Sequence, residues 1–148
     1  MKATNALLGG LAGALVLTAM HELTRRNTDD APRMDKLGEQ ALNKSLKAAG
    51  SKPLRGDKLY YTTMAGDVIG NALYYSLIGA GGKGGGIGRG LALGLAAGIG
   101  GVELPGPLGL NNKYASRTKK TRAMTIGYYL IGSLIATAAM NLLDKRKG

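Results

Sequence analysis

Residues 123–143 read AMTIGYYLIGSLIATAAMNLL, a stretch of twenty-one residues without a charged side chain. Residues 3–20 are also free of charge, and residues 59–80 and 87–102 carry one charge each. A helix that crosses a bilayer needs about 20 mostly apolar residues. We therefore predict an all-α integral membrane bundle of four transmembrane helices, at about residues 3–20, 59–80, 86–104 and 123–143.

A soluble four-helix bundle and a three-span membrane protein are the alternative structures. A surface helix of a soluble protein places charged residues opposite its apolar stripe, and neither residues 3–20 nor 123–143 have such a face. The third stretch is long enough only with its glycine-rich start and residues 103–104, so three spans result if it does not insert. A signal peptide is the other interpretation of residues 3–20, but three glycines and the lack of a small-x-small cleavage site argue against it.

Composition excludes several classes of function. The chain of 148 residues fits one domain, 1–148, and its lack of Cys with a single His excludes disulfides and makes a zinc site improbable. The net charge of +11 calls for an anionic neighbour. No interleaving of aromatic and basic residues or RNP-like run occurs, so we expect anionic lipid headgroups rather than nucleic acid. We predict no cofactor and no metal.

The basic residues also predict an orientation. Fourteen lie in the connections between the first and second spans and between the third and fourth, against five on the opposite side. Because positive charge in loops marks the cytoplasmic side, both long connections are expected in the cytoplasm and both termini outside. This places the protein in a bacterial inner (plasma) membrane. The Tyr pairs near span ends are expected to form an interfacial belt.

The first connection contains a predicted amphipathic helix over about residues 31–49, with Asp30 as its cap and Gly50 and Pro53 after its end. We interpret it as an interfacial helix on the bilayer surface, and a docking helix for a partner subunit is the alternative. Basic residues in and around the two connections are the expected contacts with anionic lipid: Lys36, Lys44, Lys47, Arg117, Lys119, Lys120 and Arg122.

Glycines recur every four residues on the predicted spans. A face of small residues allows the close backbone contact that drives helix association in lipid, where apolar side chains gain little from packing together. The pattern predicts helix packing within the chain, in a homo-oligomer or in a larger membrane complex. The residues concerned are Gly86, Gly90, Gly94 and Gly98 in the third span and Gly66 and Gly70 in the second.

Asp67 is the acid that the predicted spans hold at depth, where an unpaired Asp costs about 2.5–3.5 kcal/mol. Asn71 lies one turn further along, and His21, Glu22 and Glu103 end two other spans on the same side. We predict that these five residues converge in one polar pocket for a cation, a proton or a lipid headgroup. The alternative, which the sequence favours, is a hydrogen-bonded network that locks the helix ends together.

Three functions follow from these patterns. The sequence favours a structural or accessory subunit that assembles through its glycine faces. A small transporter or channel that uses Asp67 is the alternative. The third is an enzyme acting on a lipid headgroup, with His21 as base and Asp29, Asp30 or Asp35 on a metal, although these acids fit a charge-balanced turn better. No catalytic residue is predicted, because HExxH, GxSxG and P-loop signatures are absent, and GAGGKG at residues 79–84 follows a membrane helix rather than a strand.

Overall fold

The structure is a computed structural model that describes residues 1–82 and 86–146. It contains six α-helices and no strand in these residues, which confirms the all-α prediction. The GAGGKG segment at residues 79–84 falls partly outside the described residues. The helices are α1 (Ala3–Arg25), α2 (Met34–Ala48), α3 (Gly56–Ser76) with a 3-10 turn after it (Leu77–Gly81), α4 (Ile87–Glu103), α5 (Lys113–Ser116) and α6 (Lys119–Lys145).

Two helices, α1 and α6, are long and apolar enough to cross a membrane by length and composition. The other two long helices, α3 and α4, do not meet this criterion of length and apolar composition, so the four-span bundle is not confirmed. With 17 residues α4 is about 26 Å long, which is shorter than the hydrocarbon core of roughly 30 Å. Helix α3 has 21 residues, but Asp57, Lys58 and Asp67 lower its apolar character.

The four long helices pack in the order α4, α6, α1, α3, so α4 and α3 form the two edges. Hydrogen bonds connect the edges near one end. The Tyr74 hydroxyl donates to the Leu93 carbonyl at 2.9 Å, and Arg89 Nη1 donates to the Ile78 carbonyl at 2.6 Å. At the other end α3 and α4 are not packed together, and this gap holds the site described below.

Small residues make the closest helix contacts. Gly90 and Gly94 of α4 face Thr137 and Ser133 of α6, and Gly98 lies directly over the backbone of Ile126. By contrast, a Cβ added at Gly66, Gly70 or Gly86 would meet no atom within 4 Å. Six glycines with the same spacing therefore divide into three that pack inside the chain and three that do not.

The outer surfaces of the four long helices are apolar. On α4, Ile87, Leu91, Leu95 and Ile99 follow one another at helical spacing, and each side chain is 38–68% exposed. The other long helices carry the same kind of exposed residues: Leu7, Leu8, Leu11 and Leu15 on α1, Ile69 and Leu73 on α3, and Ile131, Ile135 and Leu142 on α6. The buried set includes Thr121, Thr125, Ser133 and Thr137. Apolar groups thus face outward while several hydroxyls are buried.

The two long connections meet at one end of the bundle. The Arg33 amide donates to the Tyr114 carbonyl at 2.8 Å, and the Thr121 hydroxyl donates to the Asp30 carbonyl at 2.8 Å. Because Asp30 is engaged with α6, it does not cap α2, which begins at Met34, three residues later than predicted. Gly50, with φ of +77°, follows the end of α2, as the sequence indicates.

Candidate functional site

A cavity of about 520 Å³ lies between the separated ends of α3 and α4. Its inner wall is formed by α1 together with Tyr129 of α6, and α2 and the segment after α4 close its end. The lining is mostly apolar, with polar groups concentrated on α1 and α3. This size and composition are typical of sites for small molecules. The polar lining residues are Thr18, His21, Glu22, Asp35, Tyr60, Thr63, Asp67, Asn71, Tyr74 and Tyr129.

His21 reaches the cavity because it follows Leu17 by one helical turn on the same face of α1. Its ring lies edge-on to Tyr128 and Tyr129, with centroids 5.4 and 6.0 Å away. The Nε2 atom is buried and has no hydrogen-bond partner in the described residues. Since buried polar atoms normally have partners, this nitrogen is available to a ligand.

Asp67 lies on the α3 face of the cavity, with Thr63 one turn before it and Asn71 one turn after it. Within the described part of the chain it has neither a hydrogen bond nor a salt bridge, and the acid Asp35 also lines this cavity. The Thr63 hydroxyl is also buried without a partner in the same residues. The α3 wall therefore presents a carboxylate and a hydroxyl that no described side chain satisfies.

Helix α2 lies directly over this pair because residue 38 is glycine. A Cβ there would be 2.7 Å from Thr63 Cγ2 and 3.1 Å from Asp67 Oδ2. A glycine inside an amphipathic helix costs about 1 kcal/mol relative to alanine, which is the sequence signal that a close contact occurs there. Neither Gly38 nor Thr63 is singled out by the sequence analysis.

The other two acids of the cavity are neutralised by neighbouring arginines. Glu22 lies 2.7 Å from Arg25, and Asp35 accepts hydrogen bonds from Arg33 at 2.9 and 2.7 Å. Burial is the largest single effect and raises the pKa of Asp35. The hydrogen bonds and positive charge of Arg33, together with the Lys36 amide and the charge of Arg25, outweigh it and hold the pKa below its ordinary value. The same pairing raises the pKa of Arg33. Asp67 is left as the uncompensated charge of the cavity.

Four of the five residues predicted for a polar pocket line this cavity: His21, Glu22, Asp67 and Asn71. Glu103 does not. It forms a salt bridge with Arg122, and both side chains are about half exposed. Gly100, Gly101 and Leu104 line the cavity at the end of α4. Glu103 lies at a different angle around the helix axis, so its side chain points away from the cavity.

The basic residues predicted to contact lipid lie at the same end of the bundle as the cavity. Several of them have partners: Lys36 binds Glu39 at 3.1 Å, Lys44 donates to the Leu108 carbonyl, Lys120 lies 3.7 Å from Asp30, and Arg122 binds Glu103. Lys47, Arg117 and Lys119 are exposed. Helix α2 packs on α3 and α5, so one of its faces is covered by protein.

The acids proposed for a metal site are spread over separate contacts. Asp30 accepts a hydrogen bond from the Thr118 hydroxyl at 3.2 Å, whereas Asp35 binds Arg33. No group of three His, Asp or Glu suited to a metal occurs among residues 1–82 and 86–146. The chain matches no family model, no curated protein and no solved structure, so its function is argued from the geometry of the site.

Proposed function

We propose that this chain is a small integral membrane protein that binds a ligand in the cavity at Asp67 and acts as a transporter. The support for the membrane location is the apolar outer surface of all four long helices, including α3 and α4. Contiguous exposed apolar surface of this extent is unfavourable in water and suits lipid. The short α4 is then accommodated by local thinning of the bilayer.

The basic residues support the orientation. The two long connections lie at one end of the bundle and hold fourteen of the basic residues. With this end in the cytoplasm, both termini lie outside and the cavity lies in the cytoplasmic half of the bundle. Exposed Lys47, Arg117 and Lys119 are then positioned to contact anionic headgroups.

One observation carries the functional proposal: Asp67 faces a cavity of about 520 Å³ without a partner in the described residues. A hydrogen-bonded network that locks helix ends would satisfy this carboxylate, as Arg25 and Arg33 satisfy Glu22 and Asp35. An ionisable group held at membrane depth without a partner is characteristic of ion and substrate pathways. A positively charged or hydrogen-bond-donating ligand is the partner that completes the site.

Transport assays in sealed vesicles test this function. We expect that wild-type protein, under an inside-negative potassium diffusion potential, accumulates sodium, methylammonium or 1-methyl-4-phenylpyridinium at an initial rate above that of empty vesicles. Asp67→Asn should abolish this accumulation. Asp57→Asn is the matched control, because Asp57 is an exposed acid on the first turn of the same helix. Accumulation of none of the three cations, or equal accumulation by both variants, contradicts the proposal.

A structural or accessory subunit is the second candidate, favoured by the exposed glycines of α3. Gly66 and Gly70 lie one turn apart with no atom within 4 Å of an added Cβ, so another helix has room to approach there. Gly66→Leu with Gly70→Leu should disrupt an assembly on a native gel, whereas Gly127→Leu on α6, which also has open space, serves as control. Unchanged migration of the α3 variant counts against this role.

A further inference from the structure

The cavity has the form of a crevice that is open at its side. At one end α2 and the segment after α4 cover it. At the other end Tyr74 and Arg89 join α3 and the 3-10 turn after it to α4, through the carbonyls of Leu93 and Ile78. Towards the opposite end the two helices separate, and no helix in the described residues fills the space between them. A helix pair that is joined at one end and separated at the other leaves a lateral opening.

The rim of this opening is apolar. Ala96 of α4, with Leu104 and Leu108 after the helix, is exposed while lining the cavity, and Met64 of α3 lines the same cavity. In a bilayer such a rim is in contact with acyl chains. An apolar group can therefore pass from the lipid into the crevice without losing an apolar environment.

The inner end of the crevice has the chemistry that organic cations prefer. Asp67 supplies a carboxylate without a counter-ion in the described residues, and Tyr74 and Tyr129 supply aromatic rings to the lining of the same cavity. Tyr60 also lines the cavity, but the Arg25 guanidinium already lies 5.6 Å from its ring centre. Aromatic rings together with a carboxylate are the usual means of binding ammonium groups. No Lys or Arg lines the cavity in the described part of the chain, so an anionic head would be repelled by Asp67 without a cationic side chain in the lining to offset the repulsion.

We infer that the ligand is a cationic amphiphile: an organic cation seated between Asp67 and the tyrosines, with an apolar body lying between α3 and α4. The inference rests on the proposed function and specifies its substrate class. Asp67 favours ligands with a positive charge, and the apolar crevice favours ligands whose remaining part is apolar. A small hydrophilic cation gains only the first of these contacts.

Equilibrium binding to the protein in phosphatidylcholine nanodiscs tests the inference, with empty nanodiscs subtracted. Three probes separate charge from apolar character. Tetraphenylphosphonium has both a positive charge and an apolar body, tetraphenylborate has the same shape with the opposite charge, and tetramethylammonium has the charge alone. We expect saturable binding of tetraphenylphosphonium, at least about tenfold weaker binding of tetramethylammonium, and no saturable binding of tetraphenylborate.

Substitutions test where the charged group and the apolar part of the ligand bind. Asp67→Asn should weaken tetraphenylphosphonium binding by about tenfold or more, and Asp67→Glu should restore part of it. Ala97→Leu fills the crevice wall and should weaken binding by a similar factor. Ala92→Leu adds the same side chain to an exposed position of α4 outside the cavity and should leave binding unchanged. If Asp67→Asn is not recovered as folded protein, the three probes on wild-type protein carry the test.

The outcomes distinguish this inference from the proposed function. Equal binding of tetramethylammonium and tetraphenylphosphonium would contradict the amphiphilic ligand without contradicting transport. Transport of sodium or methylammonium that depends on Asp67, without binding of tetraphenylphosphonium, would support the transporter and contradict the amphiphilic ligand. If tetraphenylphosphonium binds through Asp67 but no cation is transported, the ligand class stands and transport is wrong. Equal binding of tetraphenylborate, or binding unaffected by both Asp67→Asn and Ala97→Leu, overturns the inference.

Discussion

The contact between α4 and α6 depends on Gly98, and Gly98→Ala tests it most sharply. A Cβ at residue 98 would lie 2.7 Å from Ile126 Cα and 3.0 Å from the Ile126 carbonyl oxygen. Both atoms belong to the backbone, so no rotation of a side chain relieves the contact. To widen 2.7 Å to an ordinary contact of 3.4 Å, α4 must move by about 0.7 Å. Overpacking of this kind costs about 1–3 kcal/mol. We expect the free energy of unfolding to be lower by that amount than that of a variant with alanine at an uncrowded position of the same helix.

Gly88→Ala is the matched control on the same helix, because a Cβ there meets no atom within 4 Å. Alanine is favoured over glycine in a helix by up to about 1 kcal/mol, so this variant should be as stable as the wild type or more stable. The assay is unfolding in mixed micelles as the mole fraction of SDS rises, followed through the fluorescence of the seven tyrosines. If Gly98→Ala is as stable as Gly88→Ala, the packing of α4 on α6 is wrong.

Three further outcomes are expected. Tyr75→Phe removes the hydrogen bond that the buried hydroxyl donates to the Tyr129 carbonyl at 2.8 Å, and should lower the free energy of unfolding by about 0.5–1.5 kcal/mol in the same micelle assay. Gly38→Ala should push α2 away from α3 and raise hydrogen exchange in α2. The pKa of Asp35 in the folded protein lies below its ordinary 3.8, so the salt bridge with Arg33 stabilises α2 above pH 3.8. This stabilisation is lost as the pH falls through the pKa that Asp35 has in the folded protein. Proteolysis of α2 should therefore increase at that acidic pH.

Each of these has its own control. Tyr61→Phe removes the hydroxyl of an exposed tyrosine and should leave stability unchanged. Ser45→Ala on the exposed face of α2 should leave hydrogen exchange near residue 38 as it is. Asp35→Asn should remove the acid-dependent part of the proteolysis of α2. If Asp35→Asn responds to acid as the wild type does, the salt bridge with Arg33 is not the cause.

The positions of the four long helices could be predicted because stretches with at most one charge are bounded by charged connections or by the glycine-rich segment that begins at residue 79. The side of each helix that packs against the other helices could not be predicted. Gly66 and Gly70 have the same spacing as Gly94 and Gly98, yet only the second pair packs. Spacing identifies residues that share a face, whereas the neighbours that cover this face depend on the rotation of the helix in the bundle.

The residues of the candidate site could also be predicted only in part. His21 and Asp67 could be brought together by depth, since His21 follows the first predicted span and Asp67 lies in the half of the second predicted span that starts from the same side. Glu103 lies at the same depth but on another side of α4, and depth does not reveal this. The contact of Gly38 with Thr63 and Asp67 depends on the path of α2 across α3, which hydropathy does not encode.

The central claim is that α3 and α4, as well as α1 and α6, lie in lipid, so that the cavity opens towards acyl chains. The chain has no cysteine, so single spin labels can be attached at Leu95 of α4 and Ile69 of α3, both exposed, with Lys47 of α2 as the control. In reconstituted vesicles we expect the labels at 95 and 69 to collide more with oxygen than with a nickel chelate, and the label at 47 to show the reverse. Greater collision with the chelate at 95 and 69 would place these helices in water and contradict the account.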